Sequence, residues 1–224
     1  MKIIARIKSD FPQKFGIPRQ SGIVSELKAK IVFEQDFRNE QMLRGLEGFS
    51  HLWVIWEFSE NAGKPWTPMV RPPRLGGNKK MGVFATRSPV RPNPIGLSCV
   101  KIESIEKTET EGTVINICGA DMLDGTPVYD IKPYLSYSDS IPDARCGFAE
   151  DGFDKSLTVD CPEEFLSIIP EDKRQTLLDI LSCDPRPSYQ SDSERIYSFE
   201  FAGFNIKFKA EENRLKVIKI SEFQ

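Results

Sequence analysis

Apolar and polar residues alternate along much of the first two thirds of the chain, the period of strands buried on one face. Ile3, Ala5 and Ile7 alternate with Lys2, Arg6 and Lys8 and predict a first strand. A loop from Ser9 to Gly22 follows, carrying Pro12, Gly16 and Pro18. Leu27, Ala29, Ile31 and Phe33 then alternate with charged residues and predict a second strand. Asn39 to Glu47 reads as a short helix, with Met42, Leu43 and Leu46 on one side, a cap at Asn39 and a stop at Gly48. His51 to Phe58 is nearly continuous apolar sequence with two tryptophans, which predicts a buried central strand. A short strand is expected from Met81 to Ala85. Another starts at Leu97, with Ser98, Val100, Ile102 and Ser104 on one face. A turn near Glu111-Gly112 leads to a hairpin partner over Thr113–Cys118. Asp124-Gly125 signals a further turn, and Pro127 predicts that the segment after it lies at a sheet edge.

Residues Tyr137 to Asp160 are polar and acidic and read as a linker. Beyond Pro162 the apolar period lengthens to that of a helix. Phe165, Leu166, Ile168 and Ile169 form one run and Leu177, Leu178, Ile180 and Leu181 a second, broken by Pro170. Asp184 to Tyr189 is a turn with two prolines. Tyr197, Phe199 and Phe201, then Phe204, Ile206 and Phe208, alternate about Ala202-Gly203 as a hairpin, and Leu215, Val217 and Ile220 give a last strand. The pattern therefore predicts a mainly β protein. An antiparallel barrel-like N-terminal domain covers residues 1–155, and a small α+β C-terminal domain covers 156–224.

Composition adds constraints. With 39% hydrophobic and 28% charged residues, the chain has the balance of a soluble globular protein. No apolar run is long enough to cross a membrane, and Met1 to Lys8 reads as a strand rather than a signal peptide. Five cysteines without C-x-x-C spacing and a single histidine argue against a zinc site or a disulfide framework, and fit a reducing cytoplasm. A net charge of −3 argues against indiscriminate nucleic-acid binding. The charge is unevenly placed, however. No Asp or Glu lies between Asn61 and Ile102, where Lys64, Arg71, Arg74, Lys79, Lys80, Arg87, Arg91 and Lys101 all fall. Such a local basic surface suits a polyanion that is bound selectively and released.

Within that span, Lys79 to Ser98 forms a stiff loop. Ser88, Arg91 and Asn93 each precede a proline, so nearly every backbone angle from Ser88 to Pro94 is restricted. A loop of this kind loses little entropy when it orders around a ligand. No glycine-rich dinucleotide or phosphate loop follows a strand, and there is no nucleophile elbow.

Four stretches carry a family resemblance. They are Pro18-Arg19-Gln20-Ser21-Gly22, Gly45 to Trp53, Arg71 to Gly96, and Asp124-Gly125-Thr126-Pro127 running on to Leu135. In this order, over about residues 1–150, they resemble the TsaA-like family, and Asp184 to Tyr189 extends the match weakly. Characterised bacterial members of that family are S-adenosylmethionine-dependent tRNA methyltransferases. The resemblance implies methylation of N6 of threonylcarbamoyladenosine beside the tRNA anticodon, and a homodimer with sites near the interface. It implies cofactor contacts from Gln20, Ser21, Gly22, Arg87, Leu97, Asp124, Gly125, Thr126 and Pro127. Glu60 and Asn61 join them because they end the third predicted strand where a ribose diol could be held.

Arg87 is the candidate for a charge-assisted contact with the methionine carboxylate or a substrate phosphate. Asp124 and Asp130 are candidate bases for the acylated nitrogen, with Tyr134 to orient. Arg71, Arg74, Lys79, Lys80 and Arg91 are candidates for the phosphates of the anticodon stem-loop, and Trp66 for stacking on a base. His51 reads as a structural histidine. No metal and no membrane partner is expected. Deleting residues 160–224 is expected to weaken tRNA use more than cofactor binding. Three other readings stay open: a methyltransferase for another acceptor, a non-catalytic RNA-binding barrel, and an S-adenosylmethionine sensor.

Overall fold

The alternating segments of the N-terminal part close on themselves. The computed structural model describes residues 1–150, 156–186 and 192–223. Its first eight strands are β1 (Ala5–Ser9), β2 (Lys28–Phe33), β3 (His51–Glu57), β4 (Met69–Val70), β5 (Met81–Gly82), β6 (Ile95–Thr108), β7 (Gly112–Cys118) and β8 (Pro127–Pro133). Six of them form a closed antiparallel barrel in the order β1-β2-β7-β6-β3-β8, and β4 and β5 pair separately. Alternation sends Ala5, Ile7, Ala29, Ile31, Leu52, Val54, Val100, Ile115, Ile117 and Val128 into one buried cluster. Side chains fill a barrel of this size, and closure leaves no strand edge.

Trp56 plugs one end. It lies opposite Gly96 on β6, where an added Cβ would come within 2.2 Å of the indole. Its Nε1 donates to Ser98 Oγ at 2.9 Å, and Phe58 packs on it with ring centroids 4.3 Å apart.

α1 (Ser136–Asp139) follows the barrel, and the C-terminal part adds β9 (Thr158–Asp160), α2 (Glu163–Leu166), α3 (Glu171–Ser182), β10 (Tyr197–Phe201), β11 (Phe204–Glu211) and β12 (Arg214–Glu222). The sheet order is β10-β11-β12-β9, with β9 parallel to β12. Leu177, Ile180 and Leu181 of α3 share a core with Phe199, Phe201, Ile206, Phe208, Leu215 and Val217. The loop between β1 and β2 also enters this core, through Phe11, Val24 and Leu27. Phe11 packs on Phe201 at 5.3 Å, and Gly16 approaches so closely that a Cβ there would lie 2.4 Å from the Phe199 ring. Lys173 Nζ meets Asp10 at 2.5 Å, and Arg19 Nη2 donates to Arg186 O at 2.9 Å. The second core is thus built from both ends of the chain.

Several expectations change in three dimensions. Asn39 caps as predicted, its side chain accepting from Gln41 N at 3.0 Å. The helix, however, is two 3-10 turns, Glu40–Leu43 and Leu46–Gly48, because Gly45 turns left-handed at φ 91°. Met81 to Ala85 is strand only to Gly82. Val83–Ala85 is a 3-10 turn that buries Val83 and leaves Phe84 exposed. β3 is not buried on both sides. It alternates, and His51, Trp53 and Ile55 stand half-buried on the outer surface. Pro127 does not mark an edge, since β8 pairs with both β1 and β3 and closes the barrel, with Pro127 as its first residue. The predicted linker contains the strand β9. The rest of that linker at 151–155, and the end of the predicted turn at 187–189, lie outside the described residues.

Candidate active site

Antiparallel order brings three connections to one end of the barrel: β1–β2, β3–β6 and β7–β8. Gln20 Oε1 accepts a hydrogen bond from Arg87 Nη1, which joins the first connection to the stiff basic loop. Gly22 N donates to Gly119 O at 2.9 Å. A Cβ on Gly119 would lie 3.2 Å from Gly22 Cα, and Gly119 has φ +79°, so only glycine lets the two backbones touch there. The 124–127 turn is stitched to the same region. Asp124 N donates to Phe11 O at 2.8 Å, its Oδ1 accepts from Ser9 N at 3.0 Å, and Gly125 N donates to Ile7 O at 2.8 Å. Thr126 is buried. Glu60 and Asn61 both meet Lys14 of the first connection, at 2.7 Å and 2.9 Å.

Leu97, Asp130 and Tyr134 sit differently. Ile55 of β3 pairs with Leu97 on one side and Asp130 on the other, so the three form a row on the outside of the barrel, where Leu97 is 57% exposed. Asp130 Oδ2 lies 3.1 Å from Lys132 Nζ, and its Oδ1 accepts from Ile131 N at 3.0 Å. Tyr134 borders a cavity of about 590 Å³ with His51, Trp53, Cys99, Asp139 and Ser140. There Trp53 Nε1 donates to Asp139 Oδ2 at 2.9 Å, and Ser50 Oγ and His51 Nδ1 are 2.9 Å apart. A cavity of about 620 Å³ lies between the outer face of β2 and α3, and among the candidates only Asp124 lines it. We place the candidate site at the Gln20–Arg87 junction rather than in either cavity, because that junction ties together the loops that carry most of the candidates.

The predicted phosphate contacts share one stretch. Arg71, Arg74, Lys79 and Lys80 are exposed, and Arg91 Nη1 donates to Thr86 O at 3.1 Å. Arg74 Nη1 donates to Ala149 O at 3.1 Å. Among the described residues, no ion pair involves Arg71, Lys79 or Lys80. Trp66 is 47% exposed, which removes it from the core.

Asp121 was not among the sequence candidates. Its Oδ1 accepts from Ser98 Oγ at 2.6 Å, extending the chain that starts at Trp56 Nε1. Burial pushes its carboxyl up from 3.8 to about 6. The Ser98 hydroxyl, the backbone N–H groups of Asp121 and Ser21, and the Arg87 guanidinium pull the other way. The available signal was a lone carboxylate inside the otherwise apolar run Ile117-Cys118-Gly119-Ala120-Asp121-Met122-Leu123.

These features define a class: a closed antiparallel barrel whose loops at one end gather polar groups beside a basic surface. It differs from the doubly wound sheets that usually bind nucleotides. A family model described as the tRNA-methyltransferase O N-terminal domain matches residues 6–140, and one for the TrmO C-terminal domain matches 154–223. The chain belongs to the tRNA-methyltransferase O family. It is 36% identical to the tRNA (adenine(37)-N6)-methyltransferase of Escherichia coli (strain K12), over 97% of this chain and 95% of that one. It is 39% identical to a Pseudomonas aeruginosa protein named for S-adenosylmethionine-dependent methyl transfer, over 84% of this chain and 81% of the relative. The crystal structure of TrmO from the same organism superposes with a TM-score of 0.78 at 30% identity, covering 98% of this chain and 94% of that one.

Proposed function

We propose that this protein is an S-adenosylmethionine-dependent methyltransferase acting on N6 of threonylcarbamoyladenosine next to the anticodon of tRNA. The observation that carries the reading is the Gln20–Arg87 junction against the 119–121 segment, in a chain matched by both domain models of the family. The donor set fits the cofactor. A guanidinium at Arg87 suits a carboxylate, Glu60 and Asn61 suit a ribose diol, and the backbones of Gln20, Ser21, Gly22 and Asp124 to Pro127 can read an adenine. S-adenosylmethionine supplies a methyl group on a sulfonium sulfur, which departs as a neutral thioether.

The residues then have two tasks: to align the acceptor nitrogen with that methyl, and to take the proton that the nitrogen loses. Asp124 is held by Ser9 N and shapes its turn. Asp130 stands half-exposed in the row with Leu97 and pairs with Lys132 instead of bracing a turn, which favours it of the two carboxylates, and Tyr134 follows just beyond the same strand. Arg71, Arg74, Lys79, Lys80 and Arg91 supply cations for the phosphates of the anticodon stem-loop.

The functional unit is a homodimer in the cytoplasm. Supporting the dimer, Trp53, Ile55, Ile95 and Leu97 form an apolar row on the outer faces of β3 and β6, a surface that a lone barrel would present to water. Residues 1–155 form the methyltransferase domain and residues 156–224 a C-terminal domain, with the boundary falling on residues outside those described. The test uses isotope-labelled cofactor with tRNA that carries threonylcarbamoyladenosine and tRNA from cells unable to make it. Label on the modified adenosine of the first pool alone is expected. Label in neither pool would overturn the assignment of acceptor.

A further inference from the structure

We propose that Asp121 is a positioning residue of the cofactor site: its ionised carboxylate, braced by Ser98, holds the Gln20–Gly22 loop and Arg87 in the arrangement that takes S-adenosylmethionine. The inference rests on the reading of that site given above.

The segment that carries Asp121 touches the loop directly, through Gly22 N to Gly119 O at 2.9 Å and the close approach of the two glycines. On its other side the carboxylate is fixed by Ser98 Oγ at 2.6 Å, and Ser98 is itself held by the buried Trp56 indole. Trp56 is locked over Gly96, so the brace is anchored in the rigid wall of the barrel. The charged group that acts on Asp121 is Arg87, whose guanidinium also hydrogen-bonds Gln20. Its other neighbours, Ser98 and the Ser21 amide, are uncharged. Barrel and loop therefore meet at one carboxylate, within electrostatic reach of the guanidinium. A purely structural role needs no charge: a neutral amide accepts the same bond from Ser98 without placing a charge in a buried position, giving up only the bond from Ser21 N–H. A charge kept there has a use if Arg87 must be held facing a ligand carboxylate while the site as a whole stays receptive to a cationic cofactor.

The test is calorimetric titration of the full-length protein with S-adenosylmethionine between about pH 5 and about pH 7, where Asp121 changes charge. Wild type is expected to lose about tenfold in affinity toward the acid end. Asp121→Asn is expected to bind about tenfold more weakly at about pH 7, with no slope over the range. His51 is the chain's only histidine, so His51→Gln is measured alongside and is expected to keep the slope. Asp121→Asn binding as tightly as wild type at about pH 7 would overturn the proposal. So would a flat wild-type profile, or a slope that vanishes with His51→Gln, and these two outcomes decide the matter even if Asp121→Asn does not fold. A wild type that binds no S-adenosylmethionine at any pH would remove the functional reading, and this proposal with it.

Discussion

Replacing Asp121 by Asn should make the folded protein more stable at neutral pH. The carboxyl ionises at about 6 in the fold against an ordinary 3.8, so the folded state holds the proton more tightly than the unfolded chain does. A group whose native value is raised in this way gives stability at low pH, and that stability is lost as pH rises from 3.8 through about 6. At about 1.4 kcal/mol per pH unit, the loss above that window is about 3 kcal/mol. Asn resembles the protonated form and keeps an oxygen for Ser98, but its amide N–H group meets the Ser21 N–H donor, which takes back part of the gain. An increase of about 1–2 kcal/mol at about pH 7.5 is therefore expected; the difference falls by about 2.5 kcal/mol toward pH 4, where the amide's uncompensated contact with Ser21 N–H leaves the variant slightly the less stable. Urea unfolding of variant and wild type across this range measures it, and taking the difference cancels the other titrating groups. A difference that does not vary with pH, or a variant that is least stable at neutral pH, would refute the reasoning. With the expected loss of cofactor affinity, Asp121 would join the residues that trade stability for function.

Three further outcomes follow from the packing. Gly96→Val should cost about 3 kcal/mol in chemical denaturation, because the new side chain meets the Trp56 ring where even a Cβ comes to 2.2 Å; a loss below about 1 kcal/mol would mean that the indole can move aside. Tyr197→Phe should stabilise by about 1 kcal/mol, since the Tyr197 hydroxyl is buried with no hydrogen-bond partner among the described residues; destabilisation would point to a bound water. Deleting residues 160–224 should abolish S-adenosylmethionine binding together with tRNA use, as read by thermal shift with the cofactor. The sequence suggested a selective loss of tRNA use, but Phe11, Val24 and Leu27 place the anchors of the loop that carries Gln20 to Gly22 in the core that the deletion removes. A truncated protein that retains cofactor binding would show that the loop holds its shape without that core.

What was legible in the sequence was whatever repeats with a period. The alternation in Ala29, Ile31 and Phe33 or in Phe199 and Phe201 reports a local fact, that successive side chains face opposite sides, and it survives folding unchanged. Barrel closure was harder to see. Pro127 is a valid edge signal in an open sheet, yet it opens a strand that is paired on both sides. The segment from Ser9 to Gly22 reads as a loop because it has no period. Phe11 is nevertheless fully buried, against a phenylalanine that no local pattern could nominate. The candidate cofactor residues were legible only as motifs, and motifs give types and spacing without partners. Asp121 has no periodic or motif signature of its own, and the Ser98 hydroxyl, the Ser21 amide and the Arg87 charge that act on it come near only in the fold.

The contact between Phe11 and Phe201 also sets a schedule. The two residues are 190 positions apart. At about 5–20 residues per second, a ribosome leaves Phe11 without its partner for about 10–40 s after making it. The barrel strands all emerge within that interval, but the loop that bears Gln20 to Gly22 cannot settle until β10 has been synthesised. Until then Phe11 lacks the phenylalanine that covers it. The loop therefore reaches its final packing only after the C-terminal sheet has been made.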